Sequence, residues 1–134
     1  MLTKFHFNNL ISVFIGGGLG CTLRYLISLS FYKFNTTLFP TYTLFANILG
    51  CFIIGLFFTL FDAKSETLTT QKLFLTVGFC GGLTTFSTFS LETINLFNSQ
   101  HHCLAIVYTV ISIILCILFT ILGLILGGYL GKSI

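Results

Sequence analysis

Charge is what this sequence has least of. Lysine, arginine, aspartate and glutamate make up 7% of its 134 residues, against roughly a quarter in soluble domains. Acids are the scarcest: Asp62, Glu66 and Glu92 are the three in the chain. Proline occurs once, at Pro40. The five cysteines, Cys21, Cys51, Cys80, Cys103 and Cys116, follow no zinc or redox spacing, and their odd number argues against a disulfide framework. They read as small, weakly polar packing residues. No nucleotide-binding or other enzymatic motif is present, and nothing points to a nucleic-acid partner. Together these absences exclude a soluble domain and an enzyme.

Apolar residues fill the space. They reach 55% with a mean hydropathy of +1.03, and they fall in stretches near residues 9–31, 43–61, 73–98 and 103–130. Each meets or approaches the ~20 residues a bilayer-crossing helix needs. The expected fold is an all-α membrane protein, one transmembrane domain over 1–134 with four spans in the cell membrane. Short polar connections separate the spans: Lys33, Asn35, Thr36, Thr37 and Pro40; then Asp62, Lys64, Ser65, Glu66, Gln71 and Lys72; then Asn98 to His102. Lys4 before an apolar run suggests a signal peptide, but the run continues past Arg24-Tyr25 and three spans follow. It reads as a retained first helix.

Helices in lipid associate by close backbone approach and hydrogen bonding. Small residues stand four apart at Gly16/Gly20, Ala46/Gly50 and Gly123/Gly127/Gly131, which predicts a tight bundle. With the N-terminus inside, Lys4, Lys64, Lys72 and Lys132 fall on the inner side, and Lys33 and Arg24 on the outer. So small a bias suits insertion both ways up.

The third span carries the sharpest anomaly. Gly81-Gly82-Leu83 leads into Thr84-Thr85-Phe86-Ser87-Thr88-Phe89-Ser90, where five of seven residues carry hydroxyls. Hydroxyl side chains compete for backbone hydrogen bonds, and the glycine pair weakens the helix further. A break at membrane depth survives only inside protein or along a wet cavity. Asn47 is either a buried amide bonding a neighbouring helix or a donor to an anion. Arg24 and Glu92 either pair within the membrane or each reach an interface. Tyr108, Ser112 and Cys116 share one face of the fourth span. Phe86 and Phe89 project to a similar side, and phenyl edges are positive enough to stabilise a small dehydrated anion without trapping it.

Three segments, in order, resemble the Fluc (CrcB) fluoride channels along the whole chain: Gly17-Gly18-Leu19-Gly20-Cys21-Thr22-Leu23-Arg24-Tyr25, Thr43-Leu44-Phe45-Ala46-Asn47-Ile48-Leu49-Gly50, and Gly78-Phe79-Cys80-Gly81-Gly82 through Glu92. The resemblance implies an antiparallel, dual-topology dimer of four-helix subunits with a broken third helix. It implies two fluoride pathways, with Asn47, Phe86, Phe89, Tyr108 and Ser112 along each. It further implies one structural Na+ held by the Gly81 and Thr84 carbonyls. Arg24, Glu92, Thr85 and Cys116 then take structural or vestibule roles. A homodimer is the default, and a heterodimer with a paralogue the alternative. Two positions depart from the family pattern, Tyr42 in place of a glycine and Cys116 in place of a hydroxyl.

The function implied is passive export of toxic fluoride. A proton-coupled small multidrug-type transporter needs a carboxylate deep in its first helix, and no acid lies in this first span. A non-transporting assembly or regulatory subunit accounts for the glycine seams but leaves the hydroxyls and Phe86/Phe89 without a purpose.

Overall fold

Close approach at glycines decides how these helices lie. The structure, a computed structural model, describes residues 7–32, 37–62 and 70–132. Lys4, Lys33, Asn35, Thr36, Lys64, Ser65 and Glu66, on which the connection and orientation readings rest, lie outside these residues, as do the side chains of Asp62 and Lys132. The first helix runs Phe7–Tyr32, the second Thr41–Asp62 and the fourth His102–Lys132. The third span is two half-helices. Residues 70–83 form the first, of which Phe74–Cys80 is π-helical, and Phe86–Asn98 forms the second. Four segments are thus long and apolar enough to cross a membrane.

Two glycine seams assemble them. Gly16 and Gly20 of the first helix press on the first half-helix, so a Cβ there would strike the carbonyls of Phe74 and Phe79. Gly78 and Gly82 answer from the other side, against the backbones of Val13 and Gly17. The second seam joins the second and fourth helices, where Gly55 meets the Thr120 carbonyl and Gly123 and Gly127 meet those of Phe52 and Leu56. Phe52 opposite Gly123 and Leu56 opposite Gly127 advance together, so these two helices run parallel. Backbones in contact compensate for the missing hydrophobic drive in lipid. The expected four-residue spacings are therefore packing devices.

The π-helical turns were not legible in the sequence. They place Gly78 beside Gly16 and Gly17 and lead directly into the break, where such distortions often mark functional sites. The side chains of Ala46, Leu83, Ala105 and Tyr108 are fully inaccessible, and Ala105 and Tyr108 form a core with Leu96. Many leucines, isoleucines and phenylalanines outside this core are exposed, including Ile106, Ile113 and Ile117 on the fourth helix, as a lipid-facing surface requires.

Candidate functional site: the helix break and its cavity

Thr84 and Thr85 leave the helix, with φ −79°, ψ 153° and φ −149°, ψ 113°. The Thr84 N–H keeps its i−4 bond to the Cys80 carbonyl at 2.9 Å, and beyond it amides turn elsewhere. The Thr85 N–H donates to Asn47 Oδ1 at 2.7 Å instead of to the Gly81 carbonyl. The Thr88 N–H donates to the Thr85 hydroxyl at 3.2 Å instead of to the Thr84 carbonyl. Threonine at the cap satisfies one orphan donor of the new helix. Side chains also reach two carbonyls at the break. Arg24 Nε donates to the Gly82 oxygen at 3.1 Å, and Asn47 Nδ2 to the Thr85 oxygen at 3.3 Å. The Gly81 and Thr84 oxygens have lost their helical donors. Gly81 is exposed, and a Cβ there would meet nothing within 4 Å.

Beside the break lies a cavity of about 260 Å³ lined by Asn47, Cys51, Thr84, Thr85, Phe86, Phe89, Ser112, Ile113 and Cys116. The Phe86 and Phe89 rings stand 5.6 Å apart, centroid to centroid. Phe86 is 79% exposed, so its ring faces outward from this subunit. Ser112 is 5% exposed, and its hydroxyl has no hydrogen-bond partner. Buried polar atoms are nearly always satisfied. An orphan hydroxyl on a cavity wall is therefore the mark of a site that something else completes.

Tyr108 sits one turn before Ser112 and packs its ring on Phe89 at 5.2 Å. Its hydroxyl turns off the cavity and donates to Glu92 Oε2 at 2.8 Å. Thr43 donates to Oε1 of the same carboxylate at 2.7 Å, and the Tyr42 hydroxyl also approaches it. Tyr42, the departure at the entry to the second helix, thus joins the hydroxyls around Glu92. Glu92 and Tyr42 in turn border a second cavity of about 460 Å³ with Ser28, Thr37 and Phe39 among its walls.

Arg24 and Glu92 do not pair. Arg24 is committed to the Gly82 carbonyl and Glu92 to hydroxyls, so each charge is met inside the protein by partners the sequence did not disclose. The break, Asn47, Phe86, Phe89, Ser112, Thr85 and Cys116 come together as one site, with Tyr108 behind it. Sequence reasoning missed Thr43 and Cys51. The signal was available: Thr43, Asn47 and Cys51 recur every four residues on one face of the second helix, opposite the Tyr108, Ser112, Cys116 face of the fourth.

Residues 11–124 match the family model described as CrcB-like protein, Camphor Resistance (CrcB). The chain belongs to the CrcB family. Its similarity to individual members extends nearly end to end. It is 45% identical over 126 residues to the fluoride-specific ion channel FluC of Ruminiclostridium cellulolyticum, covering 94% of each chain. It is 44% identical over 116 residues to that of Phocaeicola vulgatus, covering 87% of this chain and 95% of that one. The fluoride-specific ion channel FluC 1 of Staphylococcus aureus is 45% identical over 122 residues, 90% of this chain and 98% of that one. This CrcB chain is a multi-pass protein of the cell membrane.

Proposed function

We propose that this chain is a passive, fluoride-selective channel that lets the anion leave the cytoplasm. The observation that carries the reading is the Ser112 hydroxyl, buried without a partner on the wall of the cavity between Asn47 and the Phe86/Phe89 rings. Each polar group there suits a small anion that accepts hydrogen bonds. Ser112 has an O–H to give, and Asn47 Nδ2 keeps a second hydrogen after serving Thr85. The second half-helix directs its positive N-terminal end, at Phe86 and Ser87, toward the same space. The rings offer positive edges, which attract without the grip of a lysine. Weak, multiple contacts are what conduction needs. Hydrogen fluoride crosses membranes as a neutral weak acid and dissociates inside, so an exit for the anion relieves its accumulation. No coupling or catalytic step is involved.

One subunit leaves parts of the site uncovered. Phe86 is largely exposed, and Gly81 opens onto empty space. Two copies in opposite orientation, joined about an axis in the membrane plane, cover both and give two pathways. The fit of a sodium ion follows from the hydrogen bonds: the Gly81 and Thr84 oxygens have lost their helical donors, and an uncompensated buried carbonyl is costly. Oxygen-only ligation from two subunits suits a hard monovalent cation. That ion would supply positive charge to fasten the two breaks together and would not be transported. The partner is a second copy of this chain.

The test is reconstitution of the purified chain alone into liposomes, with efflux read by a fluoride electrode. Fluoride efflux with chloride retained supports the reading, and no efflux from folded dimer overturns it. Cysteine labelling at an engineered site in loop 98–102 from both membrane faces is expected for the antiparallel dimer, whereas one-sided labelling with intact flux points to a fixed orientation.

A further inference from the structure

Two thiols face each other across the seam that joins the second and fourth helices. Gly55 and Gly123 bring these backbones into contact, and Cys51 and Cys116 lie one turn before Gly55 and Thr120 on the two parallel helices. Their side chains approach one another across this seam. Both line the cavity of about 260 Å³ that also holds Ser112 and the Phe86/Phe89 pair. Both are free and half-buried, whereas Cys80 is buried and does not line that cavity. Helices clamped this closely cannot separate the pair, and the cavity admits small molecules to it.

We propose that Cys51 and Cys116 are a redox-active pair that a small neutral hydroperoxide closes into a disulfide, narrowing the cavity wall. One sulfur attacks a peroxide oxygen; the O–O bond breaks, a sulfenic acid forms and water leaves. The second sulfur displaces that oxygen; the S–S bond forms, the S–O bond breaks and a second water departs. Two thiols give up two electrons and two protons, and one hydrogen peroxide is reduced to two waters. The new bond ties together walls that contribute Asn47 and Ser112, each one helical turn from its cysteine. Fluoride passage should therefore slow. This last consequence rests on the fluoride-channel reading, whereas bond formation does not.

The purified full chain is treated with hydrogen peroxide, unfolded and alkylated. Alkylatable thiols should fall by two from the five of the reduced chain, and peptide mapping should find Cys51 joined to Cys116. Dithiothreitol should restore both. In liposomes, oxidation should lower fluoride efflux at least about fivefold, reversibly, and Cys51→Ser and Cys116→Ser should each show an oxidised-to-reduced efflux ratio near one, whatever their basal flux. Two thiols still free after oxidation, or carrying separate sulfinic acids, overturn the pair. A bridge that leaves efflux unchanged overturns its effect on the pathway, and the mapping result stands without any flux measurement.

Discussion

The Asn47 carboxamide holds both backbone groups of Thr85, its oxygen accepting the N–H at 2.7 Å and its nitrogen donating to the carbonyl at 3.3 Å. One side chain on the second helix therefore replaces the hydrogen bond that the Thr85 N–H lost at the break and adds a second bond to the Thr85 carbonyl. The reading of Asn47 as a buried amide bonding a neighbouring helix is realised here, and the amide retains a hydrogen beyond those bonds. Asn47→Leu preserves size and removes both bonds. Leaving the buried Thr85 N–H without a partner costs about 1–3 kcal/mol, so thermal unfolding in detergent should shift down markedly and fluoride flux should vanish. An unshifted melt would mean the break holds itself.

Ser112 behaves oppositely. Its hydroxyl has no partner in the subunit, so Ser112→Ala removes an unsatisfied polar group and should leave stability within about 0.5 kcal/mol or raise it. Flux should nonetheless drop roughly tenfold, the equivalent of ~1.4 kcal/mol. A variant that loses stability and keeps its flux would make the hydroxyl structural.

Phe86 and Phe89 can be separated from mere bulk. Replacing either with Ile or Leu retains apolar volume and deletes the ring quadrupole. Efflux should fall by an order of magnitude or more while the protein elutes unchanged. Near-normal efflux from both variants would assign the rings to packing.

Gly81 tests the subunit contact. Its Cβ direction is empty within the subunit, so Gly81→Leu should leave helix content intact by circular dichroism and shift elution from dimer to monomer. In the unaltered protein, exchanging sodium for a large organic cation should lower the melting temperature of the dimer. Indifference to sodium would remove the ion from the dimer centre and leave the anion pathway standing.

Gln100 stands at φ 66°, the one non-glycine residue with positive φ among those described. It closes the second half-helix: the His101 N–H reaches the Leu96 carbonyl at 2.9 Å and the Gln100 N–H that of Phe97 at 3.1 Å, the pattern for which helix ends favour glycine. A left-handed side-chain-bearing residue costs roughly 1–2 kcal/mol. Gln100→Gly should raise stability by up to about 1 kcal/mol in chemical unfolding, with flux unchanged.

The span count, the glycine seams and the break were legible because each is local. A run of apolar residues, a four-residue spacing or a crowd of hydroxyls states its consequence within one helix turn or two. The expected helix over 73–98 is divided at Thr84-Thr85, where the hydroxyls and the preceding glycines indicated. The rest depends on partners far along the chain. Nothing near Arg24 names the Gly82 carbonyl as its acceptor, and nothing near Glu92 names Thr43. The π-helical turns from Phe74 to Cys80 arise from fitting Gly78 against the first helix, a tertiary demand with no compositional trace. Tyr108 shares a helix face with Ser112, but a face does not say that its hydroxyl turns toward Glu92.

The bond from Arg24 to the Gly82 carbonyl spans 58 positions of sequence, and that distance has a consequence for biogenesis. A ribosome delivers the first helix, with its guanidinium, long before the carbonyl that accepts its hydrogen bond exists. Until the third span emerges, the nascent chain carries an arginine whose insertion costs about 2.5–3.5 kcal/mol at mid-membrane. Gly16 and Gly20 likewise wait for Gly78 and Gly82. A chain stopped after its second span would therefore be an unsettled membrane guest and a ready target for quality-control proteases. Completing the third span rescues the first.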